Sequence, residues 1–178
     1  MAQAKRKKRF FDVEIPILSK QTQLQGYEIE ELEGASIKYD LTRMLRGKNV
    51  LLHLRVVKNN DKMQAMPKKI EIVRSALKRM VRKGTDYVED SFSTKSKDAV
   101  ITIKPFMVSR RKIHRSVRNA LREKAKEELI SYVKDKDSEE LFNEIIKNQL
   151  QKIISLKLKK VYPLSAFEVR ILDVEKKL

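Results

Sequence analysis

The sequence predicts an α+β fold: a mainly antiparallel sheet, able to curl into a barrel-like form, covered by three to four amphipathic helices. Two observations carry that prediction. Apolar residues recur with period two in several short stretches and near period 3.6 in two longer ones. The stretches also come as strands, a helix, a hairpin, further helices and a final strand, which is not the regular alternation of a doubly wound sheet. With 178 residues and 41% hydrophobic content, the chain is long and apolar enough for one packed core. The expected plan is a basic arm over 1–9 and one domain over 10–178, in which 134–162 form a helical subregion.

Phe11, Val13, Ile15 and Ile17 alternate with Asp12, Glu14 and Pro16, a half-buried strand whose proline marks an edge or an end. Ser19 to Gly26 reads as a polar connector. Ile37, Tyr39 and Leu41 form a second alternation and Val50, Leu52, Leu54 and Val56 a third, joined by the basic loop Arg43 to Lys48 into an antiparallel pair. After Pro67, Ile70, Val73, Leu77 and Met80 follow the helical period, with the proline in the first turn and Gly84 as the stop. Thr85 to Thr94 and Ala99 to Val108 flank the turn-like Ser96-Lys97-Asp98 and predict a hairpin. A long helix is predicted from Arg111 to about Val133, with Ile113, Val117, Leu121, Ala125 and Leu129 on one stripe. Asp135 to Asp137 interrupt it, and Ser138 opens more helix, split in two before Tyr162-Pro163. Phe167, Val169 and Ile171 make the closing strand.

Charge is the most informative feature. Lysine and arginine number 41 against 24 acids, a formal charge of +17. Residues 41–83 hold thirteen cations against Asp61 and Glu71, and residues 104–126 hold nine against Glu123. Spacing places Arg74, Lys78 and Arg82 on one face, with Arg79 and Lys83 beside them and Arg46 and Lys48 in the preceding loop. Arg110, Arg111 and Lys112 lead into Arg115, Arg118 and Arg122, so that Arg111, Arg115, Arg118 and Arg122 recur every four, three and four residues as a row opposite the apolar stripe. A single basic face is as often a solvated surface as a binding site. Three such clusters, with the arm Lys5-Arg6-Lys7-Lys8-Arg9, fit a phosphate-backbone binder, because arginine's planar fork matches phosphate oxygens. With 6% aromatic residues and no tryptophan, an extended single-strand stacking platform is not expected.

Other chemistries find little support. Cysteine is absent, which removes disulfides, Cys-ligated zinc, iron–sulfur clusters and thiol catalysis, and fits a reducing compartment. Asp12, Glu14 and Pro16 leave no apolar core for a signal peptide after the basic start, and no uncharged run approaches the ~18 residues of a membrane span. A soluble cytoplasmic protein without a membrane partner is expected. His53 and His114 belong to no nucleophile arrangement, and Gly47-Lys48 lacks both the leading glycine and the Ser/Thr of a phosphate-binding loop. Asp135, Asp137, Glu139 and Glu140 lack the glycine of a calcium loop and are expected to cap a helix and face its dipole. No catalytic residue, metal or cofactor is assigned.

The order of motifs resembles the small-subunit ribosomal protein family of archaea and eukaryotes called S-three-a-e, or the e-type S-one protein. The likeness rests on the arm and strand Lys5 to Pro16, on Lys104-Pro105-Phe106 leading into the basic helix Arg110 to Arg122, and on Val161-Tyr162-Pro163-Leu164 before the strand Phe167 to Val174. Phe10-Phe11 stand where the family usually has Trp-Tyr. The resemblance implies a non-enzymatic component of the small subunit on its platform near the messenger exit region, and it implies no cofactor. Its partners would be small-subunit rRNA and neighbouring ribosomal proteins, with messenger RNA and initiation factors as further candidates and no homo-oligomer. The alternative is a free-standing, chaperone-like binder of RNA or DNA, which shares the charge but not the subunit.

Overall fold

The computed structural model describes residues 7–45, 47–59 and 62–177. Among the described residues there are nine strands, mostly antiparallel, in a sheet that does not close into a barrel, and four α-helices. The described residues divide into two compact units. The first runs to Tyr39 and adds His53–Lys68; the second comprises Asp40–Leu52 and continues from Lys69.

In the first unit, strand β1 (Arg9–Ile15) pairs antiparallel with β2 (Lys20–Gly26), Phe11 facing Leu24 and Val13 facing Thr22. Val13 and Ile15 are buried while Phe10 and Asp12 face outward, the alternation the sequence predicts. Pro16–Leu18 turn the chain in one 3-10 turn that ends on Ser19 in the left-handed region. The segment expected to be a connector is therefore a strand. Its one apolar residue, Leu24, sets up no alternation, and pairing to β1 satisfies its backbone instead. Strands β3 (Ser36–Asp40) and β4 (Val50–Asn59) pair with each other, and in the first unit the Gly34 N–H donates to the Val56 carbonyl and the Val56 N–H to the Ala35 carbonyl, 2.9 Å each. Gly34, at φ 79°, takes a conformation that suits glycine.

Strand β5 (Lys62–Ile72) corrects the helix expected from Pro67. Ile70, Val73 and Leu77 suit a helical stripe, but Ile70 and Ile72 also alternate with Lys69 and Glu71. The alternation wins because a partner strand is present: Ile70 lies opposite Leu172. The helix shrinks to α1 (Arg74–Met80), burying Ala76 and Leu77.

The core of the second unit is an antiparallel ladder between β8 (Ala99–Ser109) and β9 (Leu164–Lys177). Strands β6 (Tyr87–Glu89) and β7 (Phe92–Lys95) pair with β8 as the predicted hairpin. The register of the ladder shifts at Lys104/Pro105, where proline has no N–H to donate. The shift changes which side chains of β9 face inward: Phe167 and Val169 are buried before it, Leu172 and Val174 after it, and Ile171 is half-exposed, contrary to the simple alternation expected. Helix α2 (Arg115–Lys134) packs Leu121, Ala125, Leu129 and Val133 inward and lies on β6 and β7. Helices α3 (Ser138–Ile146) and α4 (Gln149–Leu158) cover β9, split at Asn148 in the left-handed conformation.

The start of α3 is capped from outside its own segment. Asp137 occupies the N-cap position but makes no side-chain cap bond, whereas Asp98, in the hairpin turn, accepts from the Ser138 N–H at 2.9 Å and from the Ser138 hydroxyl. This corrects the expectation for Asp137, while Glu139 and Glu140 do sit in the first turn. Burial raises the Asp98 pKa, but the Ser138 hydroxyl and N–H and the Ser96 hydroxyl outweigh it and hold the carboxyl below its ordinary 3.8. The folded value being the lower one, this stabilisation is present above about pH 4 and lost as pH falls through the folded value. Asp98→Ala should cost about 1 kcal/mol at neutral pH. Urea denaturation would show the gap between wild type and variant narrowing below about pH 4.

Candidate nucleic-acid interface

The sharpest cluster begins where β8 ends. Ser109 is buried at 1% exposure, and its one hydroxyl proton is shared between the Arg111 carbonyl at 2.6 Å and the Asp86 carbonyl at 2.9 Å. The Asp86 carboxylate accepts from the Ile113 N–H at 2.9 Å, and the Ile113 side chain is itself buried. Between those two anchors the backbone has little freedom, so Arg110, Arg111 and Lys112 are held outward and exposed. Helix α2 starts at Arg115, so the predicted arginine row needs a correction: Arg111 precedes the helix, and Arg115, Arg118 and Arg122 follow on its exposed side. Asp86 and Ser109 do the positioning, and nothing in their sequence spacing marks them.

Members of the row differ in what they already hold. Arg122 Nε donates to the Glu89 carbonyl at 3.3 Å and Nη1 to Asn119 at 3.4 Å, which ties it to β6. Beside it, Arg170 Nη1 pairs with Glu89 at 2.7 Å. Arg110, Arg111, Lys112, Arg115 and Arg118 make no side-chain ion pair or hydrogen bond among the described residues. Farther along α2 the pattern reverses. Lys124 pairs with Glu127 at 3.2 Å and Glu128 at 3.6 Å, and Lys157 reaches Glu128 at 2.6 Å. The Lys157 bond is the main reason the Glu128 carboxyl lies below its ordinary range, with Lys124 adding to it against burial. Lys136, Glu144 and Tyr132 form a further closed set.

The other predicted residues distribute as follows. On α1, Arg74, Lys78 and Arg79 are exposed and carry no ion pair among the described residues. The helix stops at Met80, so Arg82 and Lys83 sit on the turn beyond it, where the Thr85 hydroxyl donates to the Arg82 carbonyl at 2.7 Å, and the expected row of three does not form on one helix. Lys7, Lys8 and Arg9 are exposed in the first unit, with Lys8 Nζ 5.5 Å from the Tyr27 ring centroid. Lys48 points inward: its ammonium meets Glu168 and the Asn148 amide oxygen, so its charge is already neutralised within its unit. Lys5, Arg6 and Arg46 lie outside the described residues. Among the described residues no group of three His, Asp or Glu side chains is arranged to hold a metal, and no helix is long and apolar enough to cross a membrane.

The profile of the Ribosomal S3Ae family covers residues 4–177, nearly the whole chain. The chain belongs to the ribosomal S3Ae family. One curated relative, the small ribosomal subunit protein eS1 of Nanoarchaeum equitans (strain Kin4-M), is 21% identical over 174 residues, spanning 93% of this chain and 87% of that protein. As a member of this family the chain is a ribosomal protein, in agreement with the likeness read from its motifs.

The contrast between Lys48 and the arginine row yields a stability prediction. Lys48→Ala strands Glu168, which is 8% exposed, and should cost about 1–3 kcal/mol. Arg115→Ala with Arg118→Ala should change stability by no more than about 0.5 kcal/mol. Urea midpoints of the two variants test the difference.

Proposed function

We propose that this chain is a structural component of the small ribosomal subunit that binds rRNA through its exposed basic faces, on the platform near the messenger exit region. The observation that carries this reading is the segment from Arg110 to Arg118, pinned by Asp86 and Ser109 so that five cations point outward without a carboxylate partner among the described residues. A fold that pairs Lys124, Lys136 and Lys157 with acids had acids to place here and did not. Arg115 and Arg118, like charges three residues apart on one helix, repel each other, a cost that a polyanion removes. Arginine suits the role because two of its N–H groups bond one phosphate in a fork, and release of condensed counterions supplies affinity.

Contacts of this type position a protein on folded RNA and carry no sequence information themselves. The exposed cations of α1 and of residues 7–9 extend the same chemistry, and neighbouring ribosomal proteins complete the surroundings. On this reading messenger RNA and initiation factors lie within reach of the outer face, in the cytoplasm.

Replacing Arg111, Arg115 and Arg118 with alanine should weaken binding to small-subunit rRNA at physiological salt. The slope of log K against log salt should fall by about 0.7–0.9 for each phosphate contact removed. Wild-type protein should remain with the small subunit when native extract is sedimented in high salt. An unchanged slope would take this helix out of the rRNA interface, and release to the top of the gradient would favour the free-standing binder.

A further inference from the structure

Tyr87, on β6, is the one aromatic side chain of the second unit that stands exposed among the described residues, at 53%. A lone exposed tyrosine needs no explanation. What sets this one apart is how it is mounted. Its ring stacks on that of Phe106, with centroids 5.7 Å apart and planes at 27°, and Phe106 is only 2% exposed. The core therefore backs one side of the tyrosine ring and leaves the other to solvent. The backbone is fixed as well: Tyr87 lies opposite Val108 in the pairing of β6 with β8, and the Ser109 N–H donates to the Asp86 carbonyl at 2.9 Å.

Two cationic turns leave from this point. Arg110, Arg111 and Lys112 follow directly after Ser109. On the other side, the Thr85 hydroxyl donates to the Arg82 carbonyl at 2.7 Å and its oxygen accepts from the Arg82 N–H at 3.2 Å, which closes the turn that carries Arg82 and Lys83. All five cations are exposed and make no ion pair among the described residues. The carboxylates on either side of Tyr87 are already engaged, Asp86 by the Ile113 N–H and Glu89 by Arg170. A rigid aromatic face set between free cations matches a ligand that alternates flat apolar rings with negative charge. Unpaired RNA is such a ligand, whereas a duplex keeps its bases stacked on one another and offers phosphates.

We propose that Tyr87 stacks on one unpaired RNA base, whose neighbouring phosphates lie on the turns at Arg82 and Lys83 and at Arg110 to Lys112. The proposal rests on the RNA-binding reading above and deepens it, because phosphate contacts alone accept a helix as readily as a single strand. Every base has a π face, so no base is favoured over another.

The test is fluorescence-anisotropy titration of the full chain, at fixed salt, with short labelled oligo(U) and with a fully paired RNA of the same number of phosphates. Tyr87→Ala should weaken oligo(U) by about five- to a hundredfold, the range of one base–aromatic stack, and leave the duplex unchanged. Tyr87→Phe, which keeps the ring, should bind both like wild type. Unchanged oligo(U) affinity in Tyr87→Ala, or an equal loss on both probes, overturns the proposal. Should circular dichroism show Tyr87→Ala unfolded, wild type is cross-linked by light to oligo(U) carrying iodouridine instead; a cross-link at Tyr87 supports the proposal and its absence overturns it. Cross-links from Tyr87 to protein rather than RNA in the intact subunit also overturn it, in favour of an acidic peptide. The variant at Arg111, Arg115 and Arg118 should weaken both probes. A loss in Tyr87→Ala without row-dependent rRNA binding therefore counts against the reading above alone, and row-dependent binding without that loss counts against this proposal alone.

Discussion

The pairing of β8 with β9 is the contact on which the second unit depends. Ile101, Ile103 and Met107 on one strand and Leu172 on the other are almost fully buried, and the helices lie against the sheet they form. Both ends of β8 do further work. Asp98, in the turn before it, caps α3; Ser109, its last residue, anchors the segment that displays Arg110, Arg111 and Lys112. A change in the ladder's register would therefore move a helix start and a charged surface together. The shift at Lys104/Pro105 is part of that register, and it lets buried Phe167 and Val169 give way to buried Leu172 and Val174.

Charge is distributed on this frame unevenly. With 41 cations and 24 acids the chain cannot pair every charge, so the placement of the acids decides which surfaces stay positive. Glu127 and Glu128 neutralise the later part of α2 and part of α4, Glu144 takes Lys136, and Glu168 takes Lys48. Among the described residues, the start of α2 receives none. The asymmetry along one helix is more telling than the total charge, since a merely soluble surface interleaves both signs.

Much of the fold was legible in the sequence. The strands at β1, β3, β4 and β8, the hairpin, the long helix and the break between α3 and α4 all follow from apolar spacing. The rest was set by partners distant in the chain. Lys20–Gly26 pairs without a pattern of its own, and the stretch through Ile72 is a strand because Leu172 lies opposite Ile70. The cations of the site were visible as charge, whereas their availability was not. Lys48 is consumed by Glu168, 120 residues away in the chain, Arg122 is tethered to Glu89, and Asp86 fixes Ile113 across 27 positions. Pairings at such separations leave no local mark.

On the proposed reading, the surface from Arg110 to Arg118, held out by Ser109 and Asp86, is covered by RNA in the assembled particle. Hydroxyl-radical footprinting of the protein, free and within the native small subunit, tests it most directly. Residues 110–118 should be strongly protected in the subunit, and the protection should be lifted when the RNA is digested. Equal reactivity of those residues in the free and assembled protein, or protection that persists after the RNA has been removed, would contradict it.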